Sequence, residues 1–216
     1  MNDEATQVYV FRAFIRQISP MIWRRLLLRG DQTFADLHYT LQLAFQWSDL
    51  HLHRFQLQAQ VYCVPHLHSV DYTHDANDVQ LQSVGLQGNQ RFLYEYNFFD
   101  GWQVEIRLEN FLSVNPKQTY PTCAGGAKAG PLEDCGGPSA YLAEKERYHP
   151  ARVIRELHEM AESTRSDRKF GALIRETFPD LLYWAKAHQF DHEEINRRLH
   201  QYAIGDERWQ QWLEIE

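Results

Sequence analysis

The chain has 216 residues, a formal charge of −7 and a pI near 5.9. Hydrophobic residues at 44% and aromatic residues at 13% exclude a disordered chain and are enough for a sizeable core without staples. The acidic balance argues against a broadly basic nucleic-acid binder, though not against a local basic patch.

Three cysteines, an odd number, argue against a secreted disulfide framework. No run approaches the roughly 18 apolar residues of a spanning helix. The N-terminal MNDEATQVYV lacks the pattern of a signal peptide. The expectation is a cytoplasmic protein with no membrane partner. The Arg24-Arg25 and Arg197-Arg198 pairs read as solvated faces.

Residues 7–17 read as a strand rich in β-branched and aromatic side chains. Ser19-Pro20 marks a turn, and residues 22–28 alternate as its hairpin partner. Both faces of that second strand are partly apolar, which predicts cover on both. Thr33 with Asp36 predicts a capping box opening a helix whose stripe is Phe34, Leu37, Leu41, Ala44 and Phe45. The helix is expected to end near residues 47–49.

Residues 51–62 alternate cleanly and read as one half-buried strand, with His51 and His53 on its apolar side. Residues 63–89 form a long polar connection carrying His66, His68 and His74, with a short element near 79–84. Residues 91–98 and 102–108 alternate again, joined through Phe99-Asp100-Gly101, where Asp-Gly signals a hairpin.

Residues 119–141, TYPTCAGGAKAGPLEDCGGPSAY, show no helix or strand period. Beyond them the pattern turns helical. Val153, Ile154, Leu157, Met160 and Ala161 form one stripe, and Phe170, Leu173 and Ile174 begin another. Pro179 opens a helix through Ala187, Asp191 with Glu194 caps a helix over 193–202, and a short helix over 207–213 follows Gly205. The expected fold class is α+β, mostly antiparallel, in a single domain over 1–216: a sheet-rich part (1–118), a Cys/Gly/Pro loop (119–141) and a helical part (142–216).

The chemistry-bearing candidates gather around that loop. Cys123 and Cys135 have eleven residues between them and form no C-x2-C knuckle. A zinc site would have to borrow His51, His53 or the His66/His68 pair; the alternative is that these histidines and cysteines pack. Cys135 as a nucleophile would need a lowered pKa, which the preceding Glu133 and Asp134 oppose and a helix opening after Gly136-Gly137-Pro138 would favour. Asp100, Glu133, Asp134 and Cys135 are the catalytic candidates. His51, His53, Cys123 and Cys135 are the metal candidates, and no cofactor is expected other than zinc at such a site. No serine elbow, phosphate loop or dinucleotide fingerprint is present.

Several motifs occur in order: Pro20-x-x-Trp23-Arg24, Leu37-His38, Trp47-x-x-x-His51-Leu52-His53-x-Phe55, Tyr94-x-Tyr96-x-Phe98-x-Asp100-x-Trp102, Tyr120-Pro121-x-Cys123, and Pro131-x-Glu133-Asp134-Cys135-Gly136-Gly137-Pro138-x-x-Tyr141. With Phe190-Asp191-x-x-x-Ile195-Asn196-x-x-Leu199 near the end, they closely resemble the plasmid Ri open-reading-frame-three-like family, whose members are also labelled insertion-element passenger or resolvase-like proteins. The resemblance implies an α+β protein without an established activity and an association with plasmids or mobile elements. Asn97, Phe99 and Val104 stand where the family pattern has Asp, Gly and His, so a site built on those residues would be altered here.

The functional expectation is a non-catalytic binding or accessory module whose ligand is a protein or a nucleic acid. The alternatives are a metal- or cysteine-dependent enzyme and a resolvase-like recombination accessory. The last would need an activated serine and a basic tail, whereas the chain ends in acidic WLEIE.

Overall fold

The computed structural model describes residues 6–65, 72–163 and 182–212. Eight strands form one mixed sheet: β1 (Gln7–Ile15), β2 (Trp23–Arg29), β3 (His53–Leu57), β4 (Gln60–Cys63), β5 (His74–Asp75), β6 (Arg91–Tyr96), β7 (Trp102–Ser113) and β8 (Thr122–Ala127). Their order is β5-β4-β3-β6-β7-β1-β2-β8, and only the β4–β5 pair is parallel. The α+β class holds.

The helix α1 (Phe34–Phe45) packs on one face of the sheet. Thr33 and Asp36 form the expected reciprocal capping box. Its whole stripe is buried, and so are His38, Thr40 and Gln42 on its flanks. A second layer covers it: in α4 (His192–Ala203) the Tyr202 hydroxyl donates to Asp36 at 2.6 Å, and Tyr39 packs on Tyr202 and Trp209. Between sheet and helix lies a core of rings, with Phe34 stacked on Tyr62 and edge-on to Phe55 and Phe92. Each such side chain contributes about 1.5–3 kcal/mol by leaving water.

The β1–β2 hairpin forms as expected, but only the core face of β2 is fully covered. Trp23, Arg25, Leu27 and Arg29 on the other face are half-buried. Residues 51–62 are not one strand. Gln58 and Ala59, both at positive φ, turn the chain so that β3 and β4 pair, with Phe55 opposite Tyr62. Two positive-φ residues give the turn a twist matching that of the strands. Neither residue is glycine or asparagine, so the sequence carries no turn signal there. The β6–β7 connection is five residues, 97–101, and puts Phe98 and Phe99 outside, the latter 97% exposed.

The 119–141 stretch is also more ordered than its composition implies. Residues 122–127 form the edge strand β8 on β2. Its glycines hide the strand period, and a register shift sits opposite Arg25/Leu26. Gly137 and Pro138 open α2 (Gly137–Arg147), which is followed by α3 (Pro150–Ser163). In α3, Val153 is buried but Ile154 is exposed, so the expected stripe is narrower at its start. Residues 182–186 are helical. His66, His68, the 170–174 stripe, Pro179 and Leu213 lie outside the described residues. No described helix is long and apolar enough to cross a membrane.

Candidate functional site

The Pro131–Gly137 segment is fastened to the open end of the sheet by named bonds. Two buried indoles donate to its carbonyls, Trp47 Nε1 to Pro131 O at 3.2 Å and Trp102 Nε1 to Glu133 O at 2.9 Å. A buried indole N–H needs such a partner, and the aromatic strands supply two. The Glu133 carboxylate points inward with its side chain 13% exposed. It accepts from Ser48 N at 2.8 Å, Ser48 Oγ at 2.5 Å and the Tyr96 hydroxyl. Burial first, and then that bond, hold the Tyr96 phenol far above its ordinary pKa, so it stays a donor.

Asp134 faces outward. Its Oδ1 lies 2.8 Å from His51 Nε2, without hydrogen-bond alignment, and accepts from Asn97 Nδ2 at 3.0 Å. Asp100 Oδ2 accepts from Gly136 N at 2.9 Å. Gly137, at φ +79, brings its backbone against Asp100, where a Cβ would stand 2.1 Å from Asp100 O. Only glycine meets both demands. Asp100, Glu133, Asp134 and His51 are therefore brought together, but each carboxylate is engaged in fixing the loop. Cys135 beside them has its thiol pushed up to about 11, by burial first and by Asp100 next.

His53 belongs to a neighbouring, deeper cluster. Its ring stacks on His38 at 3.6 Å and 12°, and its Nε2 accepts from Val64 N at 3.2 Å. A closed circuit of hydrogen bonds surrounds His38. Asp49 N donates to Gln42 Oε1 at 3.2 Å, which leaves Gln42 Nε2 to donate to the Tyr94 hydroxyl at 2.7 Å. Tyr94, kept protonated by full burial, then donates to His38 Nδ1 at 2.9 Å, so Nε2 carries the hydrogen that Asp49 Oδ1 accepts at 2.8 Å. The circuit holds Asp49 at φ 59 just after α1. His38, Asp49 and His53 offer ligand atoms within 4.8 Å of one another. His38 and Asp49 already satisfy each other and His53 Nε2 is taken by Val64 N, while two parallel stacked imidazoles aim their lone pairs side by side rather than at one point.

Cys123 lies elsewhere. It sits on β8, five strands from His53 on β3, a separation on the order of 20 Å along the sheet. The metal set that joins Cys123 to His51 and His53 is thus not assembled. Its backbone is clamped by α4: Asn196 Oδ1 accepts from Cys123 N at 2.8 Å, and Asn196 Nδ2 and His192 Nε2 donate to Cys123 O at 2.9 and 2.7 Å. Asn196 thereby supplies the edge strand with the donor and acceptor that a further strand would give. Burial raises the Cys123 thiol above its usual value. No disulfide joins any two of the three cysteines.

Arg24 corrects the solvated-face expectation. It is fully buried. Its Nε donates to Ala44 O at 2.8 Å, and one terminal nitrogen donates to Trp23 O and Ala127 O at 2.9 and 3.1 Å. Phe45 and Phe190 flank the guanidinium. The reason is alternation: Arg24 shares the core face with Leu26 and Leu28, and its charge meets the carbonyl end of α1.

Arg25 points the opposite way and belongs to an arrangement that sequence reasoning missed. Arg25 stands opposite Arg12, Arg12 opposite Arg107, and Arg107 opposite Arg91. Four arginines thus form one transverse row over β2, β1, β7 and β6, at roughly 4.8 Å per strand. Like charges directly opposite cost stability. Glu109 takes Arg25 and Arg107, and Glu105 takes Arg91. Arg12 has no carboxylate partner among the described residues; its guanidinium lies 5.0 Å from the Trp23 ring, and its Nε is buried without an acceptor. One row along, Trp23 stands opposite Phe14, about 6.6 Å from the arginines. Arg25, Arg91 and Arg107 side chains are 42%, 61% and 32% exposed. Only cross-strand register reveals this row, so no local motif could have found it.

The departures from the family pattern now have physical settings. Asn97 bridges Asp134 and the Asp100 backbone, where an aspartate would oppose a carboxylate. Phe99 is exposed, and Val104 is buried in the core.

The chain is 32% identical over 126 residues to the uncharacterized protein y4hQ of Sinorhizobium fredii (strain NBRC 101917 / NGR234), covering 57% of this chain and 64%, just under two thirds, of that protein. Its fold is similar to the crystal structure of MM3350, a protein of unknown function from Methanosarcina mazei Go1, with a TM-score of 0.63, 26% identity, and coverage of 88% of this chain and 97% of that one. The family model of plasmid pRiA4b ORF-3-like proteins matches residues 7–171, and this chain belongs to that family.

Proposed function

We propose that this chain is a non-catalytic binding module that holds single-stranded nucleic acid on the open face of its sheet. The observation that supports it is the in-register row Arg25-Arg12-Arg107-Arg91, with the Trp23–Phe14 pair alongside. Glu109 and Glu105 compensate three of these arginines, but two glutamates do not balance four opposed like charges, and Arg12 at the middle of the row has no carboxylate partner among the described residues. A polyanion crossing the strands gains a contact at each, and the adjacent rings offer stacking to bases regardless of sequence. The net charge of −7 confines this binding to one face. The non-catalytic part of the reading is favoured by the engagement of Glu133, Asp134 and Asp100 in loop bonds and by the raised thiols of Cys123 and Cys135.

A mobility-shift titration with single-stranded and duplex oligonucleotides at low salt tests it. Binding of the single strand, weakened by Arg12→Gln and Arg91→Gln, is the expected result. Preference for the duplex would favour the recombination-accessory alternative, and no binding to either would remove the nucleic-acid reading. The metal alternative is addressed by elemental analysis of the purified protein, in which one equivalent of zinc would favour it.

A further inference from the structure

A cavity of about 200 Å³ lies between the β1–β2 turn, α2 and residues 184–188. It uses none of the four row arginines. Its walls are aromatic: the Trp184 ring stacks on Tyr148 at 5.8 Å and 10°, and lies 5.2 Å from Tyr141. An apolar cavity of roughly 150 Å³ is enough for a benzene ring, so this one admits a single ring with a substituent.

Its rim carries two ammonium groups. Lys128 and Lys145 line it together with His149 and His188, against one acid, Glu146. The Lys145 ammonium is fixed by donating to Ser19 O at 2.7 Å. Lys128 is held in the left-handed region at φ 67, immediately before the bond from Ala129 N to Ala187 O that ties β8's end to the cavity wall. A side-chain-bearing residue enters that region at a cost. No carboxylate pairs with Lys128 among the described residues.

We propose that this cavity binds a small aromatic carboxylate, with its ring against Tyr141, Tyr148 and Trp184 and its carboxylate toward Lys128. Ring walls provide most of the contact, and a cation at the mouth selects the acid.

Isothermal titration with benzoate and indole-3-carboxylate, against benzamide and indole-3-carboxamide, tests this on the natural protein. The acids are expected to bind about tenfold or more tightly than their amides, as for the gain of one charge-assisted contact. Lys128→Asn, chosen because asparagine tolerates a positive φ, should abolish the difference, while Arg12→Gln should leave it unchanged. Absence of heat and of Trp fluorescence change with either acid, or equal affinity for acid and amide, overturns the proposal. So does an undiminished preference in a folded Lys128→Asn protein.

Discussion

Replacing Glu133 by alanine would release the loop from the sheet. Three donors converge on its carboxylate, namely Ser48 N, Ser48 Oγ and Tyr96 Oη. Hydrogen bonds to a charged group are each worth roughly 1.5–3 kcal/mol, and a buried donor left unmade costs about 1–3 kcal/mol. Ser48 Oγ can rotate to water, so two donors, Ser48 N and Tyr96 Oη, decide the cost. Their sum, reduced for relaxation of a part-buried site, gives about 3–5 kcal/mol. In a chain of this length that is a fall in Tm on the order of 10 °C. Glu133→Gln keeps an acceptor and should cost about half as much. Urea denaturation followed by intrinsic fluorescence gives the comparison directly, because Trp47 and Trp102 both donate to this loop. A loss below about 1 kcal/mol for Glu133→Ala, with unchanged m, would refute the view that this carboxylate is a structural anchor.

Three further outcomes are expected. Cys135, raised from 9.0 to about 11, should be alkylated by iodoacetamide at pH 8 about a hundredfold more slowly than in the unfolded chain, with the rate climbing up to pH 11; because the folded pKa is the higher one, its contribution to stability is whole below pH 9 and is lost as pH rises through 11, as urea midpoints across that range would show. Asn196→Ala removes both bonds to the Cys123 backbone and should lower stability by about 1–3 kcal/mol while exposing the β8 edge, detectable as concentration-dependent aggregation on light scattering. Gly130→Ala would place a Cβ 1.7 Å from Phe45 O, so a loss of about 3 kcal/mol or an insoluble product is expected, checked by thermal melting of whatever is soluble.

Local structure was legible where the signal was local. The capping box of Thr33 and Asp36, the β1–β2 hairpin and the alternation of β6 and β7 all follow from neighbouring residues and stand as read. The turn at Gln58-Ala59 was hidden because neither residue favours positive φ. Strand β8 was hidden because glycine carries no side-chain period. Of the candidate site, the meeting of His51, Asp100, Glu133 and Asp134 lies within motifs visible in the sequence, but the orientation of each carboxylate toward a backbone or hydroxyl donor does not. The His38 circuit and the arginine row depend on contacts between residues 52–56 apart or on register over four strands. Alternation did place Arg25 on the side of Trp23 and Leu27. Which residues lie opposite it is decided by the pairing of strands distant in sequence.

The salt dependence of single-strand binding tests the arginine row most directly. With four phosphates neutralised, log K against log salt should have a slope of about −3, at roughly −0.7 per contact for single strands. Arg12→Gln and Arg91→Gln should each make the slope shallower by about 0.7 without lowering the melting temperature, since Arg12 has no carboxylate partner among the described residues and Arg91 is largely exposed. A slope near zero, or one that the two substitutions leave unchanged, would contradict binding through this face.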